Sequence, residues 1–380
     1  MKKIFLALLF LSLIQAGVWA QDKEISVTHT RHIIKSVPLG EERSILVRVP
    51  PGYAQGTDRY PVVYMLDGHP PHTAMMPGII DNQAWGGVIP EMILVSIQNK
   101  VRTLDLTPTQ IERYPSGRGD KFLDFIQNEV MPLVEKNYRT QPFRVFAGHS
   151  LGGLFVTYSF VTRPEMFNAY IAASPALYYD KNLVIKRAEE LLRQDKSWNK
   201  TMYFGVGDEP IYTPSFNELK DVLDKAKAKN LTYEFHQFKE ENHSSGVLYT
   251  YTAGLRKIFD GWAYPQNPSL AVQEEHFKKL TKKYGYEIKI PENLVNIIGY
   301  ELMQQKKLPE AIEAFKKNVE LYPNSANVYD SLGEAYERSG VNKEAKENYE
   351  KAYKLAEAQG DSEHLKDIKA NLERVAGKLK

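Results

Sequence analysis

Cysteine is missing from all 380 residues of this chain. That excludes disulfides, thiol chemistry and the acylated first cysteine of a lipoprotein anchor. A strong charge of either sign is missing too: the formal net charge is +2, and no basic stripe points to nucleic acid, so none is expected as a partner. Nor is there an apolar run long enough to cross a bilayer. The best one, Ile4 to Ile14, is too short, and no stable membrane span is expected. What is present is globular. Apolar residues make up 43% of the chain, which excludes disorder, and the length suits two domains better than one.

The first 20 residues stand apart. Met-Lys-Lys precedes the apolar run, and small residues follow up to Val18-Trp19-Ala20, which puts Val and Ala at the −3 and −1 positions of a signal-peptidase site. Residues 1–20 therefore read as a signal peptide, with a mature chain beginning at Gln21. An exported protein without disulfides points to the periplasm of a Gram-negative bacterium, with secretion beyond the cell as the alternative.

Residues 21–265 read as a doubly wound α/β domain. Ile25–Lys35 and Arg43–Val49 flank a Pro-Leu-Gly-Glu turn and form an edge hairpin. Tyr60–Asp67 and Glu91–Ile97 are apolar runs of the kind buried in parallel sheets, and a helix is expected from Asp120 to Asn137. Further strands are expected into Ser150 and over Phe167–Ala173, Met202–Val206 and Thr232–Phe238. After Pro265 helical periodicity takes over, with a bridging segment over 266–290 that includes a helix at Leu270–Tyr284. Residues 291–376 repeat at 34 residues: Gly299 aligns with Gly333, Leu302 with Tyr336, Ala311 with Ala345, Phe315 with Tyr349 and Leu321 with Leu355. That is the tetratricopeptide period, with small residues where helices cross and large ones between. Two such repeats are too few to stand alone, so this small all-α domain is expected to lean on the first.

The chemistry centres on Gly148-His149-Ser150-Leu151-Gly152, placed between a buried strand and a helix. In a G-x-S-x-G elbow the turn is so tight that its flanking positions must be nearly free of side chain, and the serine hydroxyl is left exposed at a helix N-terminus. Leu151 N–H then points at a developing oxyanion. Serine needs a base, itself oriented by an acid, and in this setting the chain order is Ser, acid, His. Of nine histidines, His236, His243, His276 and His364 follow Ser150, and only His243 lies in the loop after the last strand. The acid is expected at Asp208, with Glu209 as the alternative and Asp180 and Glu241 as outsiders. A second oxyanion donor is expected from the turn Leu66-Asp67-Gly68-His69, at the N–H of Gly68 or His69. Tyr178, Tyr179 and Arg102 are candidate substrate contacts, the arginine for an anionic group. His69 and His72 lack further ligands at metal spacing, so no metal is expected, and the triad needs no cofactor.

Tyr64-Met-Leu-Asp-Gly68, Asp105-Leu-Thr-Pro-Thr109, the Gly148–Gly153 elbow, Ala173-Ser-Pro-Ala-Leu-Tyr-Tyr-Asp180 and Glu241-Asn-His243 together resemble the esterase group of α/β-hydrolases that includes esterase D, feruloyl esterases and enterochelin esterases. The resemblance runs from about Thr28 to Trp262, and one bacterial branch carries a C-terminal tetratricopeptide segment like this one. It implies a serine carboxylesterase with Ser150 as nucleophile and His243 as base, acting on a siderophore, feruloyl, acetyl-sugar or short acyl ester. Where relatives often have two arginines before the Asp-Leu-Thr-Pro segment, this chain has Arg102 and then Leu104, which weighs against a strongly anionic ligand. Two other readings stay open: acyl transfer by the same residues, or a repeat-based binding protein on a non-catalytic hydrolase scaffold. The repeats could serve a protein partner or self-association.

Overall fold

The structure is a computed structural model that describes residues 28–54, 56–266 and 269–379, so the signal-peptide reading of residues 1–20 lies outside the described residues. In chain order the first part holds β1 (Thr30–Ser36), β2 (Glu41–Arg48), β3 (Tyr60–Met65), α1 (His72–Trp85), β4 (Ile93–Ile97), α2 (Arg102–Asp105), α3 (Gly119–Phe125), α4 (Met131–Asn137), β5 (Thr140–His149), α5 (Leu151–Thr162), β6 (Ala169–Ala173), α6 (Tyr179–Leu192), β7 (Lys200–Val206), α7 (Thr213–Ala226), β8 (Leu231–Gln237) and α8 (Gly246–Ile258). The strands form one eight-stranded sheet in the order β1-β2-β4-β3-β5-β6-β7-β8. β1 and β2 are the antiparallel edge hairpin, β2 meets β4 antiparallel, and every later pair is parallel.

A parallel sheet is covered on both faces, so its strands must be apolar on both. Side chains alternate across the pleat. In β3, Val62 and Tyr64 face the core under the α3–α7 side, whereas Val63 and Met65 face the core under α1 and α8. Phe146 of β5 stacks on Phe167 with centroids 4.3 Å apart, in the first of these cores. The helix expected over Asp120–Asn137 is present but not uniform. A wide π turn over Ile126–Val130 joins α3 to α4, just ahead of Pro132, which has no N–H for the ladder.

The second part is α9 (Leu270–Tyr284), α10 (Glu292–Gln304), α11 (Leu308–Leu321), α12 (Ala326–Arg338), α13 (Asn342–Gln359) and α14 (Ser362–Gly377). The repeat seen in the sequence has a steric cause. A Cβ on Gly299 would sit 2.5 Å from the Phe315 ring, and one on Gly333 would sit 2.8 Å from the Tyr349 ring. The helices cross where those glycines lie. α9 and α10 share the core beneath α1 and α8: Phe277, Leu280, Tyr284, Leu294 and Val295 pack with Phe143, Tyr251 and Phe259. α9 also caps the end of α8, with the Tyr284 hydroxyl donating to Ile258 O at 3.2 Å and Lys283 Nζ to Asp260 O at 2.5 Å. No helix among the described residues is long and apolar enough to cross a membrane.

Candidate active site

β5 runs straight into Ser150, which has φ 59° and ψ −114°, a left-handed backbone that a serine adopts only when its surroundings enforce it. The enforcement is local. A Cβ on Gly148 would lie 2.5 Å from Gly152 O, and one on Gly152 would lie 3.0 Å from Asp67 Oδ2. The turn closes only because Gly148 lacks a side chain, and a Cβ at Gly152 would crowd the Asp67 carboxylate. Ser150 N–H donates to Ala173 O at 2.9 Å, and Ser150 O accepts from Ala176 N at 3.1 Å, which ties the elbow to the end of β6. Leu151 is the first residue of α5, where a helix has no partner of its own for the N–H.

An open cleft of about 320 Å³ lies over this turn, and Ser150, His243, His149, His72 and Arg102 line it. His243 Nδ1 is 2.5 Å from Glu209 Oε2. Glu209 is buried, and its other oxygen accepts from Ser174 Oγ at 2.6 Å and from Gly207 N at 2.9 Å. Burial alone would push this carboxyl up, but the bonds from His243, Ser174 and the Gly207 amide together hold it below the ordinary glutamate value. Asp208, the first choice on sequence grounds, is corrected by this arrangement. Its side chain is exposed, while its amide donates to Glu241 O at 2.6 Å. A Cβ on Gly207 would lie 2.4 Å from that same Glu241 O, so the loops after β7 and β8 touch, backbone to backbone. This contact turns residue 208 outward and residue 209 inward. The outsiders are elsewhere: Asp180 accepts from Thr109 Oγ1 at 2.6 Å, and Glu241 meets the site through its carbonyl.

The expected second oxyanion donors are also corrected. Gly68 N–H donates to Ile97 O at 2.9 Å, and His69 N–H turns back onto Asp67 O at 2.6 Å. Asp67 itself takes a left-handed φ of 55°, which bends this turn beside the cleft. Arg102 lines the cleft, but its guanidinium is engaged. Nε and Nη2 reach Asp67 at 2.7 and 2.9 Å, and Nη2 also donates to His149 O at 2.6 Å. It holds the elbow instead of standing free for an anion.

The two tyrosines separate. Tyr179 is buried and its hydroxyl donates to Thr109 O at 2.6 Å, so it braces a loop. That loop is anchored by Asp105, fully buried between Arg43 at 2.6 Å and Arg118 at 2.6 Å. Tyr178 is 44% exposed and stands edge-on to Tyr212, with centroids 5.4 Å apart. Tyr212 stacks on the His243 ring at 4.5 Å, with its hydroxyl 3.4 Å from Nε2. Tyr212, Ser174 and His149 were not singled out by the sequence reading. The Ala173-Ser-Pro segment and the x of G-x-S-x-G carried two of them in plain view, whereas nothing local to Tyr212 announces its place.

A family profile described as "Putative esterase" matches residues 36–248, and two tetratricopeptide repeat profiles match residues 299–340 and 326–359. The chain is similar to ferri-bacillibactin esterase BesA of Bacillus subtilis, at 25% identity over 56% of this chain and 82% of that protein. It is similar to the siderophore triacetylfusarinine C esterase of Aspergillus fumigatus, at 25% identity over 56% of this chain and 86% of that protein. Among solved structures, an IroE-like serine hydrolase from Shewanella oneidensis has the same fold, with a TM-score of 0.69 and 24% identity over 77% of this chain and 100% of that one.

Proposed function

Because the chain belongs to the esterase family whose profile spans residues 36–248, and is a carboxylic ester hydrolase with C-terminal tetratricopeptide repeats, we propose that it works through Ser150, His243 and Glu209. The observation that carries this reading is the 2.5 Å contact between His243 Nδ1 and the buried Glu209 carboxylate, on the same cleft as a serine held in an elbow. Ser150 Oγ attacks the ester carbonyl while His243 Nε2 takes its proton. Glu209 holds the Nδ1–H tautomer and stabilises the imidazolium. The Leu151 N–H, at the positive end of α5, faces the oxyanion. His243 returns the proton to the leaving alcohol, and water repeats the sequence to release the acid.

For substrate, we propose a siderophore-type ester of low net charge. One of the relatives named above is a siderophore esterase by name, and the other is a ferri-bacillibactin esterase. The Arg102–Asp67 ion pair offsets the guanidinium that lines the cleft, and Tyr178 stands edge-on to Tyr212, which stacks on His243. The basic, apolar and small-residue pattern of residues 1–20 supports cleavage before Gln21 and export of the mature chain. The repeats supply a surface for a protein partner or for self-association.

Hydrolysis of p-nitrophenyl butyrate by wild type and Ser150→Ala tests the core of this. A loss of about a thousandfold or more in kcat is expected. A serine-reactive phosphonate should add its mass to Ser150. Turnover that survives the substitution, or label on another residue, would sink the triad. An uncharged ferric trihydroxamate ester is expected to outrun a trianionic ferric catecholate lactone, and the reverse order would overturn the charge argument.

A further inference from the structure

His149, which separates Gly148 from Ser150, takes no part in the steps above, yet it is fixed at both ends. Its carbonyl accepts from Arg102 Nη2 at 2.6 Å. Its ring nitrogen Nε2 lies 2.8 Å from the backbone carbonyl of His243. A carbonyl only accepts, so Nε2 carries the proton and donates it. The ring sits between those of His72 and His243, with centroids 5.8 and 4.5 Å away. Burial, with His243, His72 and Arg102 as neighbours, pulls its titration down to about 4. It is therefore neutral near pH 7, with its one proton on Nε2 for this carbonyl, and it makes a poor base.

We propose that His149 is a positioning residue: its Nε2–H anchors the His243 backbone and thereby sets the reach from Ser150 to the His243 imidazole. This rests on the triad reading above. The topology explains the need. Ser150 follows β5 and His243 lies beyond β8, with β6 and β7 between them in the sheet. On one side they are linked stepwise, through Ser150 N–H to Ala173 O, then Ser174 Oγ to Glu209 and Glu209 to His243. The bond from His149 closes that chain into a ring on the other side. Arg102 completes the clamp by holding the His149 carbonyl against Asp67. With the base anchored at its carbonyl and at Nδ1, the imidazole has little freedom left except at Nε2, the atom that moves the proton.

The test compares two replacements in the full chain, with p-nitrophenyl butyrate as substrate. His149→Phe keeps the ring volume and removes the donor, whereas His149→Gln keeps an amide donor at similar reach. Misplacing a catalytic group by about 1 Å can cost about a hundredfold, so the Phe variant should lose about tenfold to a hundredfold in kcat. Its KM should stay within about threefold, as for a contact that serves the reacting geometry and not binding. The Gln variant should return to within about threefold of wild type at the same melting temperature. If the Phe variant does not fold, His149→Asn, whose amide stops short of the carbonyl, is expected to show the same loss. A Phe variant as fast as wild type overturns the proposal, and so does a Gln variant as slow as Phe. Ser150→Ala in the same assay separates the two readings. Its inactivity beside a fully active His149→Phe leaves the triad standing and removes only the clamp. Its full activity removes both.

Discussion

A Cβ on Gly148 would lie 2.5 Å from the Gly152 carbonyl, and a Cβ on Gly333 would lie 2.8 Å from the Tyr349 ring. The same device, a missing side chain at a close approach, serves different ends in the two halves of the chain. In the sheet half it bends a strand end so sharply that Ser150 is thrust into a cleft. In the helical half it lets α12 settle against α13, and the Gly299–Phe315 contact repeats it one period earlier. The sheet half uses such close approaches at separate, unrelated places, among them Gly148 and Gly207. The helical half uses it as a module. Buried polar groups divide in the same way. Glu209 joins loops after three different strands, while Glu337 ties α12 to α13 and α14 through Tyr349, Arg374 and Lys378.

The strongest challenge to this division is to cut the halves apart. Ending the chain at residue 265 removes Phe277, Leu280 and Tyr284 from the core they share with Phe143 and Phe259, and it uncaps α8. Each large buried side chain contributes about 1.5–3 kcal/mol, so the truncated protein is expected to be insoluble or to melt far earlier. Ending at residue 322 spares that core and should keep activity on small esters. A soluble, active 265-residue form, followed by circular dichroism and turnover, would show the halves to be independent.

Next in size is the acid. Glu209→Gln should cost on the order of a hundredfold or more in kcat, whereas Asp208→Asn should leave it within about twofold. The opposite ranking in steady-state kinetics would return the role to Asp208.

The glycines offer a matched pair. Gly333→Ala overpacks a helix crossing and should cost about 1–3 kcal/mol of stability, read by denaturant melts, with esterase turnover unchanged. Gly148→Ala should abolish turnover, because its new methyl meets backbone that cannot move aside. If both substitutions damaged activity equally, the halves would be coupled more tightly than their contacts indicate.

The smallest effect is on pH. Hydrogen bonds from Arg374 first, and from Lys378 and Tyr349 beside it, hold Glu337 down at about 2 against an ordinary 4.5, although burial pushes the other way. A depressed carboxylate contributes stability above its unfolded value and loses it as pH falls through the folded one. The helical half should therefore lose stability between about pH 4.5 and 2, and Glu337→Gln should flatten that loss in thermal melts. A variant with the same acid dependence as wild type would assign the effect to other carboxylates.

Much of this was legible in the chain itself. The elbow announces itself because its cause is contiguous: Gly148, Ser150 and Gly152 must fit one turn, and sterics within five residues allow few alternatives. The repeats announce themselves for a similar reason, since crossing helices require small and large residues at a constant spacing. His243 could be placed by chain order and by its position after the last strand. What tertiary structure alone decided is how loops distant in sequence meet. Whether residue 208 or 209 turns inward depends on Glu241 O pressing against Gly207. Whether Gly68 N–H is available depends on Ile97 O, and whether Arg102 is free depends on Asp67. Each is a choice between two nearly equal local options, settled by a partner about thirty residues away, and so no window of sequence contains the answer.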